Sequence, residues 1–482
     1  MYSVIGALFG IRTDNPEKPP YLKIGISFLS VILILALSPG CTVRKPVQAL
    51  PIGMDPGFSR SGNSTVADKW WTEFKDEGLN TLVEKAVSDN HDIRAAWYRL
   101  NAARAAAGRD ASALFPGIEG NVSGETAKAD SGSENRNDME LEFGASYELD
   151  LWGRITAGVR AGHFDARAAH TDLQTAALSV SSEIAVRWFR YIEALKQIEL
   201  IQEQIETNQK MLSLIKARVG SGQVRGADIL RQNLLIESGR TQKIDWETRA
   251  GILKNQLSIL TGVSPVGFTP PPPGPLPELP PLPDTGIPAD LVKRRPDVRS
   301  AFFRLKASDL RLASAIRDMY PKLSFRTSVS TSNGKPGNIL KEWASSLAGN
   351  LLAPIFYGGR LRAEMKRSRA LKYQLLHIYG KTVLTAFQEV EDALIREKGQ
   401  SERIAGMERQ VEIGARTIGQ LRLEYFNGIG DYLDVLTVLR DEQRLRRELL
   451  SDRVLLLEYR ISLYRAIAGG FEITMENEYG RK

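Results

Sequence analysis

The chain has 482 residues, enough for two or three ordinary domains or for one large repeated architecture. Hydrophobic residues make up 43% and charged residues 25%, too much charge for a helical-bundle membrane protein. The net charge of +7 is spread along the chain without a basic run interleaved with aromatics, which argues against nucleic acid, and a single cysteine excludes an intrachain disulfide and a cysteine-based metal site.

The first element is an apolar run from Ile24 to Leu37, preceded by Lys23 and followed by Ser38, Pro39, Gly40 and Cys41. It is too short to span a bilayer and suits the apolar core of a signal peptide. The small residues leading into Cys41 resemble a bacterial lipoprotein signal, in which the cysteine is acylated and becomes the mature N-terminus. An ordinary signal peptide with an incidental cysteine is the alternative. Residues 1–40 then read as signal peptide and 41–76 as a lipidated tether, its first part rich in Pro, Gly and Ser. Beyond it no segment approaches the ~18 consecutive apolar residues of a membrane helix, so any crossing must be made by strands.

From residue 91 the chain repeats itself. HDIRAAWYRLNAARA (91–105) lies over PDVRSAFFRLKASDL (296–310), Phe115-Pro116 over Tyr320-Pro321, and Gly153-Arg154 over Gly359-Arg360. So constant a register indicates duplication. The first repeat is assigned to 77–262 and the second to 288–470, with a Pro-rich linker at 263–287 and a tail at 471–482. In the linker, TPPPPGPLPELPPLP (269–283) favours extended polyproline II and reads as a semi-rigid connector.

Each repeat opens with a helix, expected over 77–113 and 288–318, and ended by Pro116 and Pro321. Alternating segments follow. In ELEFGASYELDL (140–151), Leu141, Phe143, Ala145, Tyr147, Leu149 and Leu151 share one face, while Glu142, Glu148 and Asp150 lie on the other. KLSFRTSVS (322–330) alternates likewise, and Gly117–Gly124 and Ser346–Tyr357 supply their partners, with polar loops at 126–138 and 331–338. Long helices come next. Ile155 to Arg218 contains no proline, and Ile198, Ile201, Ile205, Asn208, Leu212, Ile215 and Val219 form a heptad stripe with one polar interruption. A turn at 218–230 sends the chain back along 227–261. The second repeat does the same with 361–426 and 431–468. RVGSGQVRGADIL (218–230) matches EYFNGIGDYLDVL (424–436) across these turns.

Four amphipathic strands cannot close a barrel, and a lone sheet would expose edges that a bilayer does not tolerate. Three chains would supply twelve strands. The fold expected from the residues is therefore mixed but mainly α: a duplicated strand–strand/long-helix repeat in which several chains each contribute four strands to one barrel.

WWTEFKDEGLNTLVEKAVSDNHDIRAA (70–96), YELDLWGRI (147–155), LVKRRPDVRSA (291–301), YPKLS (320–324), PIFYGGR (354–360) and the two helix breaks resemble the TolC-type outer-membrane efflux proteins, and Cys41 their lipoprotein branch. The resemblance covers nearly the whole chain beyond Cys41. It implies a lipid-anchored homotrimer in the outer membrane of a Gram-negative bacterium, four strands per chain completing a trimeric twelve-stranded β-barrel continued by an α-helical coiled-coil tunnel. The trimer would be a passive exit duct for small molecules delivered by an inner-membrane efflux pump through a periplasmic adaptor protein. It implies no catalysis and no cofactor other than the lipid on Cys41. It also implies that the helix breaks are periplasmic tips, closed by a gate whose positions here are Asp228, Tyr425 and Asp434. Gly222, Gly428 and Gly430 would give the tip turns their freedom. An Arg common in the family's tip falls on Gly430, and a second family Asp falls on Thr437. Without the resemblance, Asp228 and Asp434 read as residues that cap helix N-termini. The exit duct of a type I protein secretion system and a periplasmic coiled-coil adaptor are the alternative functions. His163 and His170 lack acidic partners at helical spacing, so surface helix is the reading preferred over a metal site.

Overall fold

A computed structural model describes residues 57–64, 67–127, 136–220, 225–333, 339–468 and 471–473, all within the unit Ile52–Lys482. Cys41 and Gly222 lie outside the described residues. Helices α1 (Glu77–Asp89) and α2 (His91–Ser112) lead into strands β1 (Gly117–Ala127) and β2 (Arg136–Leu149). The hairpin of α3 (Arg154–Gly220) and α4 (Gly226–Leu260) completes the first repeat. The second runs α5 (Pro288–Arg294), α6 (Pro296–Arg317), β3 (Lys322–Asn333), β4 (Ala344–Leu352), α7 (Arg360–Phe426) and α8 (Tyr432–Ile467).

Each opening helix, expected to be continuous, is two helices. In the first repeat Asn90 interrupts it: its extended backbone ends α1, and its side chain accepts from the Asp92 and Ile93 amides to start α2. In the second the matched position is Arg295, and Pro296 forces the extended conformation on the residue before it. One bend is thus made twice by different chemistry.

The strands form one antiparallel sheet in the order β1-β2-β3-β4. Its register sorts the side chains by face. Ile118, Ala145, Thr327 and Leu347 stand in one cross-strand row, and Leu149, Leu323 and Leu351 in another. The opposite face carries Asn121, Glu142 and Ser330, then Glu148, Ser324 and Asn350. Both hairpins reach further into the expected loops than alternation indicated, to Ala127 and Asn333. β4 stops at Leu352 and does not continue to Tyr357, because Pro354 has no N–H for a ladder. Asp150 is not on the wetted face; its carboxylate accepts from the Ile155 and Thr156 amides and caps α3, and the same bonds, against the effect of burial, hold its pKa below the ordinary carboxylate range.

α3 and α7 each contain 67 residues, a rise of roughly 100 Å. Among the described residues no helix is long and apolar enough to cross a membrane. The main core lies where α3 meets α1, α2 and α8. Trp70, Trp71 and Phe74 are fully buried there with Trp188, Phe189 and Tyr464. Phe471 packs on Trp71, with ring centres 5.1 Å apart. The segments read as tether and tail therefore contribute core aromatics. Hydrophobic burial outweighs their low helical and strand propensity.

The Pro-rich connector is fastened at its C-terminal end. The Gly62 amide donates to the Pro283 carbonyl at 3.0 Å, and the Asp284 amide to Ser64 at 2.7 Å. Between the prolines, the apolar side chains of Leu276 and Leu279 pack on the main core. Extended polyproline backbone leaves its carbonyls unpaired, and Arg460 donates to those of Pro280 and Pro281.

Candidate functional site

The ends of the two long hairpins carry the residues singled out as a gate. Met211 and Ile215 of α3 pack with Tyr425 of α7 and with Tyr432, Val435 and Leu436 of α8. The α7 turn closes as a glycine C-cap. Gly428 has φ +77° and donates to the Tyr425 carbonyl at 3.1 Å, while Ile429 donates to Glu424 at 3.0 Å. Gly428 thus has the role expected of it. Gly430 does not adopt a left-handed conformation; a Cβ there would lie 3.4 Å from the Glu424 Cβ and the Tyr425 amide nitrogen. A side chain at this position would meet those atoms at ordinary contact distance, so neither conformation nor space requires glycine at 430.

The two acids differ. Asp228 is buried and accepts from Arg231 at 3.0 Å. Asp434 is exposed in the first turn of α8. Neither is the cap: Asp431 caps α8 by accepting from the Leu433 amide at 3.0 Å, and the α4 cap position, Arg225, makes no side-chain cap bond. Asp434, at the third helical position, complements the helix dipole without making the cap bond.

Tyr425 is buried, and its hydroxyl has no hydrogen-bond partner among the described residues. Burial pushes that hydroxyl's pKa up; the nearby Arg218 opposes the shift, and Asp228 and Asp431 add to it. Tyr432, which sequence reasoning passed over, is buried beside it at a ring distance of 5.5 Å. Burial raises its pKa too, and its hydroxyl donates to Gln232. From there a polar seam climbs between α3 and α8. Gln232 donates to the Asn208 carbonyl at 2.7 Å, and the Asn208 and Gln443 amides exchange bonds of 3.3 and 3.1 Å. Gln204 donates to the Gln443 carbonyl at 3.1 Å, and Gln197 to that of Arg447 at 2.7 Å. The expected polar interruption at Asn208 is one rung of this seam. Buried amides in register resist sliding, since each slip strands donors and acceptors away from water.

One family model, described as outer membrane efflux protein, matches residues 82–263 and again 287–469, once for each repeat. The pyoverdine export outer membrane protein OpmQ of Pseudomonas aeruginosa is 27% identical over 460 residues, 91% of this chain and 97% of that protein. The toluene efflux pump outer membrane protein TtgF of Pseudomonas putida is 25% identical, covering 92% and 97%. Among solved structures, the outer-membrane channel OprN superposes with a TM-score of 0.82 at 26% identity, over 88% of this chain and 98% of that one. The Neisseria gonorrhoeae MtrE channel, solved in an open state, shares the fold with a TM-score of 0.78 at 22% identity, over 89% and 98%. With both repeats matched and nearly the whole length shared, the chain belongs to the outer membrane efflux protein family.

Proposed function

We propose that three copies of this chain form a gated exit duct across the outer membrane, continued through the periplasm by their long helices. One observation carries the reading: an open, two-faced sheet, its edges β1 and β4 unpaired among the described residues, feeds directly into helices of 67 residues. Bilayers exclude open edges, so β4 of one copy pairs with β1 of the next and twelve strands close. The apolar rows then meet lipid and the polar rows line water. A periplasmic adaptor, in contrast, has no use for a lipid-facing sheet.

The tips are the gate and the docking surface. Ile429, Leu433, Leu230 and Leu234 are exposed around them, which suits an apolar contact with the adaptor that links this duct to an inner-membrane pump. Asp434 presents three carboxylates to the bore in the trimer and favours cations there. Cys41 carries the lipid. The cargo class is small molecules, as the names of OpmQ and TtgF state for those relatives; the pump selects among them.

The test is outer-membrane fractionation of the full chain, with gels run before and after heating. A heat-modifiable trimer that takes up radiolabelled palmitate, and loses the label in Cys41→Ser, is expected. Recovery only in the soluble periplasm would overturn the duct, whereas a trimer without label would overturn the anchor alone.

A further inference from the structure

A hollow of about 520 Å³ opens between α2, α3 and α6, and its lining is basic: Arg104, Arg167, Arg299, His163 and His170 converge over an apolar floor that includes Phe303. Among the described residues no carboxylate lines it. Among those same residues none of the three guanidinium groups makes an ion pair or hydrogen bond; Arg104 rests on the Trp97 ring and Arg167 on the Phe164 ring. The nearest acids on α3 are engaged elsewhere, Asp165 with Arg311 and Asp172 with Ser300 and Arg304. Glu472 borders an adjoining cavity that shares Arg104 and His170.

The duplication supplies an internal control. In the second repeat the position matched to Arg104 is Asp309, and that matched to Ala166 is Lys372. These two pair at 2.6 Å, so the second repeat carries an ion pair where the first carries the unpaired Arg104 side chain. The first groove is left positive. Concentrating five cationic or protonatable side chains without counter-charge costs free energy unless an anion occupies the site.

Its side of the wall follows from helix geometry. Arg154, at the start of α3, pairs with Glu148 of the polar sheet face at 2.7 Å. At ~100° per residue, His163, Arg167 and His170 point away from Arg154, within about 40° of the opposite direction. They lie roughly 14–24 Å along α3 from its start. On the duct reading, on which this placement rests, the hollow faces the periplasm outside the tunnel, below the lipid headgroups. It also lies inside the four-helix wall of one chain, so a neighbouring copy is not needed to build it.

We propose that this hollow binds an anionic saccharide, a sugar-sized unit carrying phosphate or carboxylate. The arginines take the anion, and Leu100 and Phe303 cover the apolar sugar face. Two sources share that chemistry: a free sugar phosphate, and the cell-wall glycan, whose peptide branches bear free carboxylates. The experiment uses the purified full-length trimer. One arm titrates N-acetylglucosamine 1-phosphate, with neutral N-acetylglucosamine as control, by calorimetry. The other measures co-sedimentation with purified cell-wall sacculi. Binding of the charged probe in at least one arm, weakened by added salt, is expected, and the arm that responds names the source. Arg167→Gln with Arg299→Gln should weaken it at least about tenfold, whereas Asp309→Asn with Lys372→Gln should leave it unchanged. Conductance in planar bilayers should be retained in both variants. No binding in either arm by an intact, conducting trimer overturns the site, as does equal binding of the neutral sugar. A trimer that does not conduct overturns the duct reading instead.

Discussion

Arg218, near the end of α3, donates to the Tyr425 carbonyl at 2.8 Å and holds its guanidinium 5.0 Å from the centre of the Tyr425 ring. A second bond reaches the Phe426 carbonyl at 3.1 Å. One side chain from the first repeat therefore caps the C-terminus of a helix from the second, and a cation at that end suits the helix dipole. Arg218→Ala removes about 1–2 kcal/mol of tip stabilisation, equivalent to roughly a 5–30-fold shift between closed and open forms. Single-channel recordings should show open probability rising by a factor in that range. Arg218→Lys should lie between, because an ammonium keeps the charge and loses the fork. An unchanged open probability in Arg218→Ala would show that the tip is held by other contacts.

Asp228 and Asp434 should separate experimentally. Asp434 is exposed, and if it faces the bore as proposed, Asp434→Asn should reduce the cation preference read from reversal potentials in a salt gradient, with trimer yield unchanged. Asp228 is buried on Arg231, so Asp228→Asn should loosen the tip and alter gating more than ion preference. The reverse pattern would exchange the two roles.

Neighbouring positions on β4 test the faces of the sheet. Leu347 stands in the apolar row with Thr327 and Ala145, and Ser346 stands in the polar row with Ser328. Leu347→Lys places a charge against lipid at a cost of about 2–4 kcal/mol near mid-membrane. Folded trimer in outer-membrane fractions should fall sharply. Ser346→Lys faces water and should assemble normally. Equal recovery of both variants would contradict the assignment of faces.

The duplication, the four strands and the two long hairpins were legible because each rests on periodicity that a single sequence displays. What was missed depends on partners far away in sequence. Nothing about Trp70, Trp71 or Phe471 marks them as core until Tyr464 and Phe189 are brought beside them. Arg218 and Tyr432 gain their roles only when α3, α7 and α8 meet. The break at Asn90 was visible as an Asn before His-Asp-Ile, and the helical pattern on both sides masked it. At the tip, both turn glycines drew attention by composition, yet only Gly428 uses a left-handed backbone, and Asp431 matters through its cap, neither of which a residue type announces.

Glu193 introduces a pH dependence. Burial raises its carboxyl pKa; a hydrogen bond from Ser451 and the charge of Arg249 oppose the rise, Glu458 adds to it, and Arg190 opposes it. The folded state therefore holds this proton more tightly than the unfolded chain, whose value is near 4.5. Glu193 favours folding most below that value, and the benefit is lost as pH rises through the folded pKa. Glu193→Gln removes the dependence while keeping an oxygen for Ser451. Thermal unfolding at neutral pH should occur at a higher temperature in the variant, and the advantage should vanish below about pH 4. A variant less stable than the parent at neutral pH would show that the ionised pairings outweigh the cost of burial.

Arg460 and Glu397 form a bidentate pair at 2.7 and 2.8 Å, with side chains 2% and 7% exposed. The same guanidinium bonds the connector carbonyls, so α7, α8 and the link between repeats meet at one charge. Arg460→Met leaves a carboxylate buried without a partner and two carbonyls without a donor, a loss of about 3–5 kcal/mol. Heating the trimer and following its dissociation on gels should show a clear drop in midpoint. Glu397→Leu added to Arg460→Met removes the stranded charge, and most of the carboxylate part should return. The carbonyls of Pro280 and Pro281 still lack their donor in the double variant, so recovery should be incomplete. Full recovery would mean that the connector is held by Leu276, Leu279 and the Gly62–Pro283 bond, and that Arg460 serves only its partner on α7.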